Sequence, residues 1–188
     1  MSRILVCYGS SEGHTAAIAD RMGDVLADEG HDPLVISTKH PPPTIDLERY
    51  AGIVVAASVH RGRHQRHATA FVKRHVDRLN RVPSAFVSVS LTAATTGRDA
   101  EETTSDYVDA FLEGTGWEPT RTHVVGGALK YRQYGLLTGY LMRRIAGRSG
   151  LGTGSGRDYD YTDWVDVEDF TREFARLVEN EPEPTSSH

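Results

Sequence analysis

One cysteine, three lysines and no apolar run of membrane-spanning length mark this 188-residue chain by what it does not have. With Cys7 alone, disulfides within the chain are impossible, and zinc sites of the finger type are excluded. A reduced, cytosolic compartment fits best, and Cys7, set among Ile4, Leu5, Val6 and Tyr8, reads as a small buried hydrophobe. No stretch approaches the roughly 20 apolar residues of a spanning helix. The chain enters a strand at Arg3, so no signal peptide is expected. Acidic residues are missing from a whole window: between Pro119 and Arg157 there is no Asp or Glu, while Arg121, Lys130, Arg132, Arg143, Arg144, Arg148 and Arg157 give +7. The net charge of −5 then leaves −12 on the rest. Such polarity suggests a face that meets an anion, whether a carboxylated substrate, an acidic protein or an anionic membrane surface. The plainer reading is a solvated basic face, and nucleic acid is not an expected partner. The scarcity of lysine beside arginine reflects genome composition rather than mechanism.

What is present begins at the N-terminus. Arg3 to Tyr8 reads as a short buried strand, and Gly9-Ser10-Ser11-Glu12-Gly13-His14-Thr15 follows directly, with helical periodicity from Ala16 to Ala27. A strand, a turn rich in glycine and hydroxyls, and a helix start together make an anion site. Backbone N–H groups and the hydroxyls of Ser10, Ser11 and Thr15 converge where the helix dipole favours a phosphate. The spacing is not the G-x-G-x-x-G of a dinucleotide fold, and no Gly-Lys-Ser/Thr of a Walker A loop occurs. The loop resembles the phosphate loop of flavodoxins, which grips the monophosphate of FMN without a metal. The alternative is a capped helix whose Ser and Thr only satisfy orphan N–H groups.

Strand-length apolar runs alternate with helical stretches along the rest of the chain. Val35–Ser37 is a weak second strand, and His40-Pro41-Pro42-Pro43 a stiff connection that forbids helix. Gly52–Ala57 is a continuous apolar run suited to a strand covered on both faces. His67–Leu79 has helical spacing, Ser84–Ser90 reads as the fourth strand and Leu91–Ala100 as irregular. Tyr107–Leu112 is helical, Arg121–Leu129 is the fifth strand, and Tyr134–Ala146 and Asp163–Val178 are the last helices. This predicts one α/β domain over residues 1–178, a doubly wound five-stranded parallel sheet in the order 2-1-3-4-5 with helices on both faces, and a disordered polar tail over 179–188. Ligands in such sheets sit outside the carboxyl ends of the strands. The turns after strands one, three and four should therefore share one site: Ser10–Thr15, Ser58–His64 and Ser90–Ala93.

Four further segments carry a more specific resemblance. Phe71-Val72-Lys73-x-His75, Leu79-Asn80-x-Val82-Pro83-Ser84-Ala85-Phe86, Gly127-Ala128-Leu129-Lys130-Tyr131 and Tyr161-Thr162-Asp163-Trp164 resemble, in order and spacing, the HemG-type protoporphyrinogen dehydrogenases. These are flavodoxin-like FMN enzymes of haem biosynthesis. The resemblance implies oxidation of protoporphyrinogen IX to protoporphyrin IX in three two-electron steps, with FMN as cofactor and a membrane quinone as acceptor. It places the FMN phosphate on Ser10, Ser11, Glu12, Gly13, His14 and Thr15. It brackets the isoalloxazine between Ser58, Val59, His60, Arg61 and Gly62 on one side and Val89, Ser90, Leu91 and Thr92 on the other. Leu91–Ser105 fills the place of the family's extended loop. Two departures stand out. Arg61 precedes Gly62 where the family commonly has tyrosine, which shields the ring less but adds positive charge that raises the flavin potential. The extended loop here has Arg98 alone with Asp99, Glu101 and Glu102, whereas the family's loop is more basic.

His60, His64 and His67 have spacing that suggests a metal site, but no acidic residue accompanies them, so no metal is assigned. His60 and His64 are expected instead to line the flavin edge and aid proton release. From 129 to 148, Tyr131, Tyr134, Leu136, Leu137, Tyr140, Leu141 and Ile145 interleave with Lys130, Arg132, Arg143 and Arg144. Either this is an ordinary helix with a basic outer face, or it holds substrate propionates or rests peripherally on the inner face of the cell membrane. Trp164 is read as a packing anchor. Two other functions on the same fold stay open, a flavodoxin-type electron carrier and an NAD(P)H:quinone reductase. A phosphoacceptor receiver domain does not, because Ser58 and Tyr8-Gly9 stand where aspartates would be needed. No catalytic base is assigned, and oligomeric state is not readable.

Overall fold

Alternate strand residues face opposite ways, so a strand that is apolar at every position needs cover on both sides. Three segments of this chain are buried on both faces over most of their length, and they form the centre of the sheet. The computed structural model describes residues 1–11, 13–90, 98–126, 128–130, 158–160 and 162–181. The elements in order are β1 (Arg3–Gly9), α1 (His14–Asp28), β2 (Asp32–Ser37), a single 3₁₀ turn (Leu47–Arg49), β3 (Gly52–His60), β4 (Arg63–His64) and α2 (Arg66–Leu79). There follow β5 (Ser84–Ser90), α3 (Arg98–Thr115), β6 (Arg121–Gly126), β7 (Ala128–Lys130), β8 (Asp158–Asp160) and α4 (Trp164–Asn180). The order is β2-β1-β3-β5-β6, all parallel. This is the expected flavodoxin-like arrangement, with two additions. β4 folds back antiparallel on β3, and β7 pairs antiparallel with β8 away from the main sheet.

The two faces divide the core. Ile4, Val6, Val54, Ala56, Val87 and Val125 pack against Ile18, Met22 and Leu26 of α1 and Phe170, Phe174 and Val178 of α4. Leu5, Cys7, Ile53, Val55 and Phe86 turn the other way, toward Phe71 and Val72 of α2, Phe111 of α3 and Trp117. Rings concentrate on this second face: Phe86 stacks on Phe111 at 4.4 Å and meets Trp117 edge-on at 5.6 Å. Trp117 Nε1 donates to Ser84 Oγ at 3.0 Å, which satisfies the one polar atom its burial would strand. Cys7 is fully buried, and desolvation pushes its thiol far up, so it stays protonated.

Several boundaries differ from the sequence reading for identifiable reasons. β2 is three residues longer at its start, because Asp32 and Pro33 pair with Arg3 and Ile4 at the sheet edge, where a proline is tolerated. β3 continues past Ala57 to His60 because β4 returns along it. α3 begins at Arg98, within the stretch read as irregular. The fifth strand does not run unbroken to Leu129: β6 ends at Gly126, and Ala128–Lys130 belongs to the separate ribbon with Asp158–Asp160. α4 runs to Asn180, so two residues of the expected tail are helical, and 182–188 lie outside the described residues. The helix read over 134–146 also lies outside them. Among the described residues no helix is long and apolar enough to cross a membrane.

Candidate functional site

Register brings three strand ends into one row. Gly9 lies beside Ala57, Ser58 beside Val89, and Ser90 beside Gly126. The order β2-β1-β3 reverses between β1 and β3, the crevice where open α/β sheets take ligands.

The first loop is built around two glycines. A Cβ on Gly9 would come within 2.9 Å of the Ala68 Cβ, so β1 ends against α2 at a separation that admits no side chain. Gly13 holds φ at +86°, which glycine adopts without strain, and it caps α1 with no side-chain bond. Ser10 Oγ instead accepts from Gly13 N at 2.9 Å and closes the turn beneath the helix. The first intrahelical bond runs from Ala17 N to Gly13 O at 3.1 Å, so the N–H groups of Thr15 and Ala16 precede it and have no partner within the helix. The first turn of α1 carries no acidic residue. Uncapped N–H groups, a positive helix end and the buried Thr15 make a donor set suited to a phosphate. Glu12 lies outside the described residues.

The second loop is a tight hairpin. Val59 pairs with His64 and His60 with Arg63 around a two-residue turn, Arg61-Gly62, at φ 51° and 77°. Positive φ at both central residues is the signature of a type I′ turn, whose twist matches that of the strands. Arg61 is the one non-glycine residue at positive φ among the described residues. Holding arginine there costs about 1–2 kcal/mol, and strain of this kind gathers at functional sites. His60, Arg61 and Gly62 are all exposed at the tip.

Gln65, which the sequence reading passed over, joins the two loops. Its Nε2 donates to Ser11 Oγ at 2.5 Å and to Ser58 Oγ at 3.2 Å, while Ser58 Oγ donates to Gly9 O at 3.3 Å. One amide therefore fixes the spacing between the phosphate-type loop and the hairpin. His14 turns sideways. Its Nε2 lies 2.6 Å from Thr162 Oγ1, which donates to Gly126 O at 3.2 Å, and its ring meets Trp164 edge-on at 6.2 Å. Trp164 thus packs against the loop as well as opening α4.

The third contributor is placed only in part. Val89 and Ser90 are the buried last residues of β5, with Val89 in the core beneath α1 and α4. Leu91 and Thr92, and the rest of 91–97, lie outside the described residues, as does the basic stretch from 131 to 157.

The histidines separate, and one expectation fails. His64 does not stand exposed at the hairpin with His60. It is buried between Phe86 and Phe111, at 5.1 and 4.9 Å, with Nε2 2.8 Å from Ser88 Oγ. The hairpin register turns His60 outward and His64 in, and burial lowers the His64 pKa to about 4. His67 packs beside Gly9, and its pKa is lowered by burial and by the nearby Lys39 and His40. The three imidazoles go to three different surroundings, not to one ligand set.

Relatives share this fold. The flavodoxin domain family model matches residues 5–151. Protoporphyrinogen IX dehydrogenase (quinone) of Escherichia coli K12 is 33% identical over 177 residues, covering 94% of this chain and 97% of that one. The protein of the same name from Leishmania major is 32% identical over 93% of this chain and 75% of its own length. Among solved structures, oxidised flavodoxin 1 from Bacillus cereus superposes with a TM-score of 0.55 at 17% identity, over 93% of this chain and 98% of that one. The apo form of an NADH:FMN oxidoreductase gives 0.57 at 11% identity, over 97% and 92%. The chain therefore belongs to the flavodoxin-domain family, alongside the oxidoreductases named protoporphyrinogen IX dehydrogenase (quinone).

Proposed function

We propose that this chain binds FMN and oxidises protoporphyrinogen IX to protoporphyrin IX, passing the electrons to a quinone. The observation that carries the reading is the pairing of an uncapped, glycine-led helix start with a strained basic hairpin on the two strands that flank the switch point. Support comes from relatives that carry this reaction in their names and align over 94% and 93% of the chain.

Bound FMN supplies the two-electron acceptor, used three times per substrate, and the protein supplies position and electrostatics. Ser10, Ser11, Thr15 and the first-turn N–H groups of α1 hold the phosphate, with Glu12, Gly13 and His14 shaping the loop. Ser58–Gly62 bracket the ring from one side, and the end of β5 with Leu91 and Thr92 from the other. Arg61 places a positive charge beside the ring, which favours acceptance of electrons. Gln65 keeps the two loops at a fixed separation. Of the two histidines offered by the sequence for proton release, His64 is buried and neutral, which leaves His60 at the exposed hairpin. The basic 129–148 stretch is assigned to peripheral contact with an anionic lipid surface, where quinone is found.

Anaerobic addition of protoporphyrinogen IX to the FMN-loaded protein tests the reading. Bleaching of the flavin band with porphyrin fluorescence appearing, reversed by a quinone, is the expected result. A flavin that binds and stays oxidised would refute the substrate assignment.

A further inference from the structure

Beside the hairpin, a cleft of about 630 Å³ opens between α2 and α3. Arg63, at the end of the hairpin, and Arg66 and Lys73, on α2, line one side. Arg66 and Lys73 are seven residues apart, so they share a helix face with their stems about 10 Å apart along the axis. Tyr107 and Phe111 of α3 line the other side, and Gly114 leaves open space where a side chain would stand. No Asp or Glu is among the described residues that line it. Five arginines outside it, Arg3, Arg21, Arg78, Arg81 and Arg172, each have a carboxylate within 3.3 Å. Among the described residues no ion pair joins Arg63, Arg66 or Lys73. The cleft therefore combines cationic side chains from the hairpin and α2 with aromatic ones from α3, and it begins at Gly62 beside the ring-side turn. Its volume suits a ligand of several fused or linked rings.

We propose that this cleft binds the substrate by its carboxylates: Arg66 and Lys73, with Arg63 at the mouth, hold the propionates of the porphyrinogen while its ring system rests along Tyr107 and Phe111 toward the hairpin. The inference rests on the proposed function and adds to it the residues that select an acidic tetrapyrrole.

The test compares protoporphyrin IX with its dimethyl ester on the FMN-loaded protein, by fluorescence binding, and the corresponding porphyrinogens by turnover. Wild type is expected to bind the diacid about tenfold tighter than the diester. Arg66→Ala with Lys73→Ala should abolish that preference and raise KM for the diacid about tenfold, with kcat within about twofold and FMN affinity unchanged. Alanine is the best helix former, so these exposed changes leave α2 intact. Gly114→Leu, which fills the cleft and also favours helix, should weaken diacid and diester alike. Unchanged diacid affinity and KM in the double variant would overturn the inference while wild-type turnover still upheld the proposed function. A wild type that neither binds nor oxidises either porphyrin compound would overturn both.

Discussion

Replacing His64 by phenylalanine should trade stability at neutral pH for resistance to acid. The imidazole sits between Phe86 and Phe111 with its Nε2 on Ser88 Oγ, and burial lowers its pKa from 6.5 to about 4. The unfolded chain takes up a proton at this residue below about pH 6.5, whereas the folded chain does so only near pH 4. The stability this group supplies is therefore complete above its unfolded pKa and is lost as pH falls through that window. A difference of about 2.5 units corresponds to about 3 kcal/mol, most of it spent between pH 6 and pH 4. Phenylalanine keeps the ring packing but loses the hydrogen bond, a penalty of about 1 kcal/mol at pH 7.5. It cannot charge, so the two stabilities should cross near pH 6, and the variant should lead by about 1 kcal/mol at pH 5. Urea unfolding of both proteins at half-unit steps from pH 7.5 to 4.5 measures this. Parallel curves, with the variant always below, would refute the claim that His64 is buried in its neutral form.

Other consequences follow from the hairpin, the bridge and the basic stretch. Arg61→Gly accepts φ 51° without strain and removes a charge beside the ring, so the protein should stay folded while the midpoint potential of its flavin falls; a rise contradicts the electrostatic role. Gln65→Leu removes both bridging bonds and should weaken FMN binding about tenfold in a fluorescence titration, with far-UV circular dichroism unchanged. Arg143→Glu with Arg144→Glu should lose co-sedimentation with vesicles rich in phosphatidylglycerol, and retained sedimentation would remove the membrane assignment.

The parts of this molecule that were legible in its sequence are those where composition and environment agree. β5 was readable to the residue, because Ser84–Ser90 is bounded by Pro83 and buried at every position. β1 and the loop after it were readable because an apolar run meets a glycine- and hydroxyl-rich turn. The hairpin was not, since type I′ turns usually announce themselves as Asn-Gly or Asp-Gly and here an arginine occupies the strained place. With the turn hidden, the apolar run alone ends β3 at Ala57, and nothing in it shows that His60 and His64 lie on opposite sides of the ribbon. Gln65 left no signal at all: a glutamine before a helix is unremarkable until the fold brings Ser11 and Ser58 to its amide. The break in the fifth strand did have a signal, the Gly126-Gly127 pair, which is a turn cue inside an otherwise continuous run. The basic cleft is not legible because Arg63, Arg66 and Lys73, though near one another in sequence, face a wall that comes from a different helix, with Tyr107 and Phe111 of α3.

The proposed function depends on the first loop holding a phosphate. The direct measurement is a titration of the flavin-free protein with FMN and, separately, with riboflavin, which shares the ring system and lacks the phosphate. FMN should bind at least about a hundredfold tighter, and Gly13→Ala, which strains the φ of +86° at the helix start, should erode that preference while leaving riboflavin affinity nearly unchanged. Equal affinity for the two flavins, or no flavin binding, would contradict it.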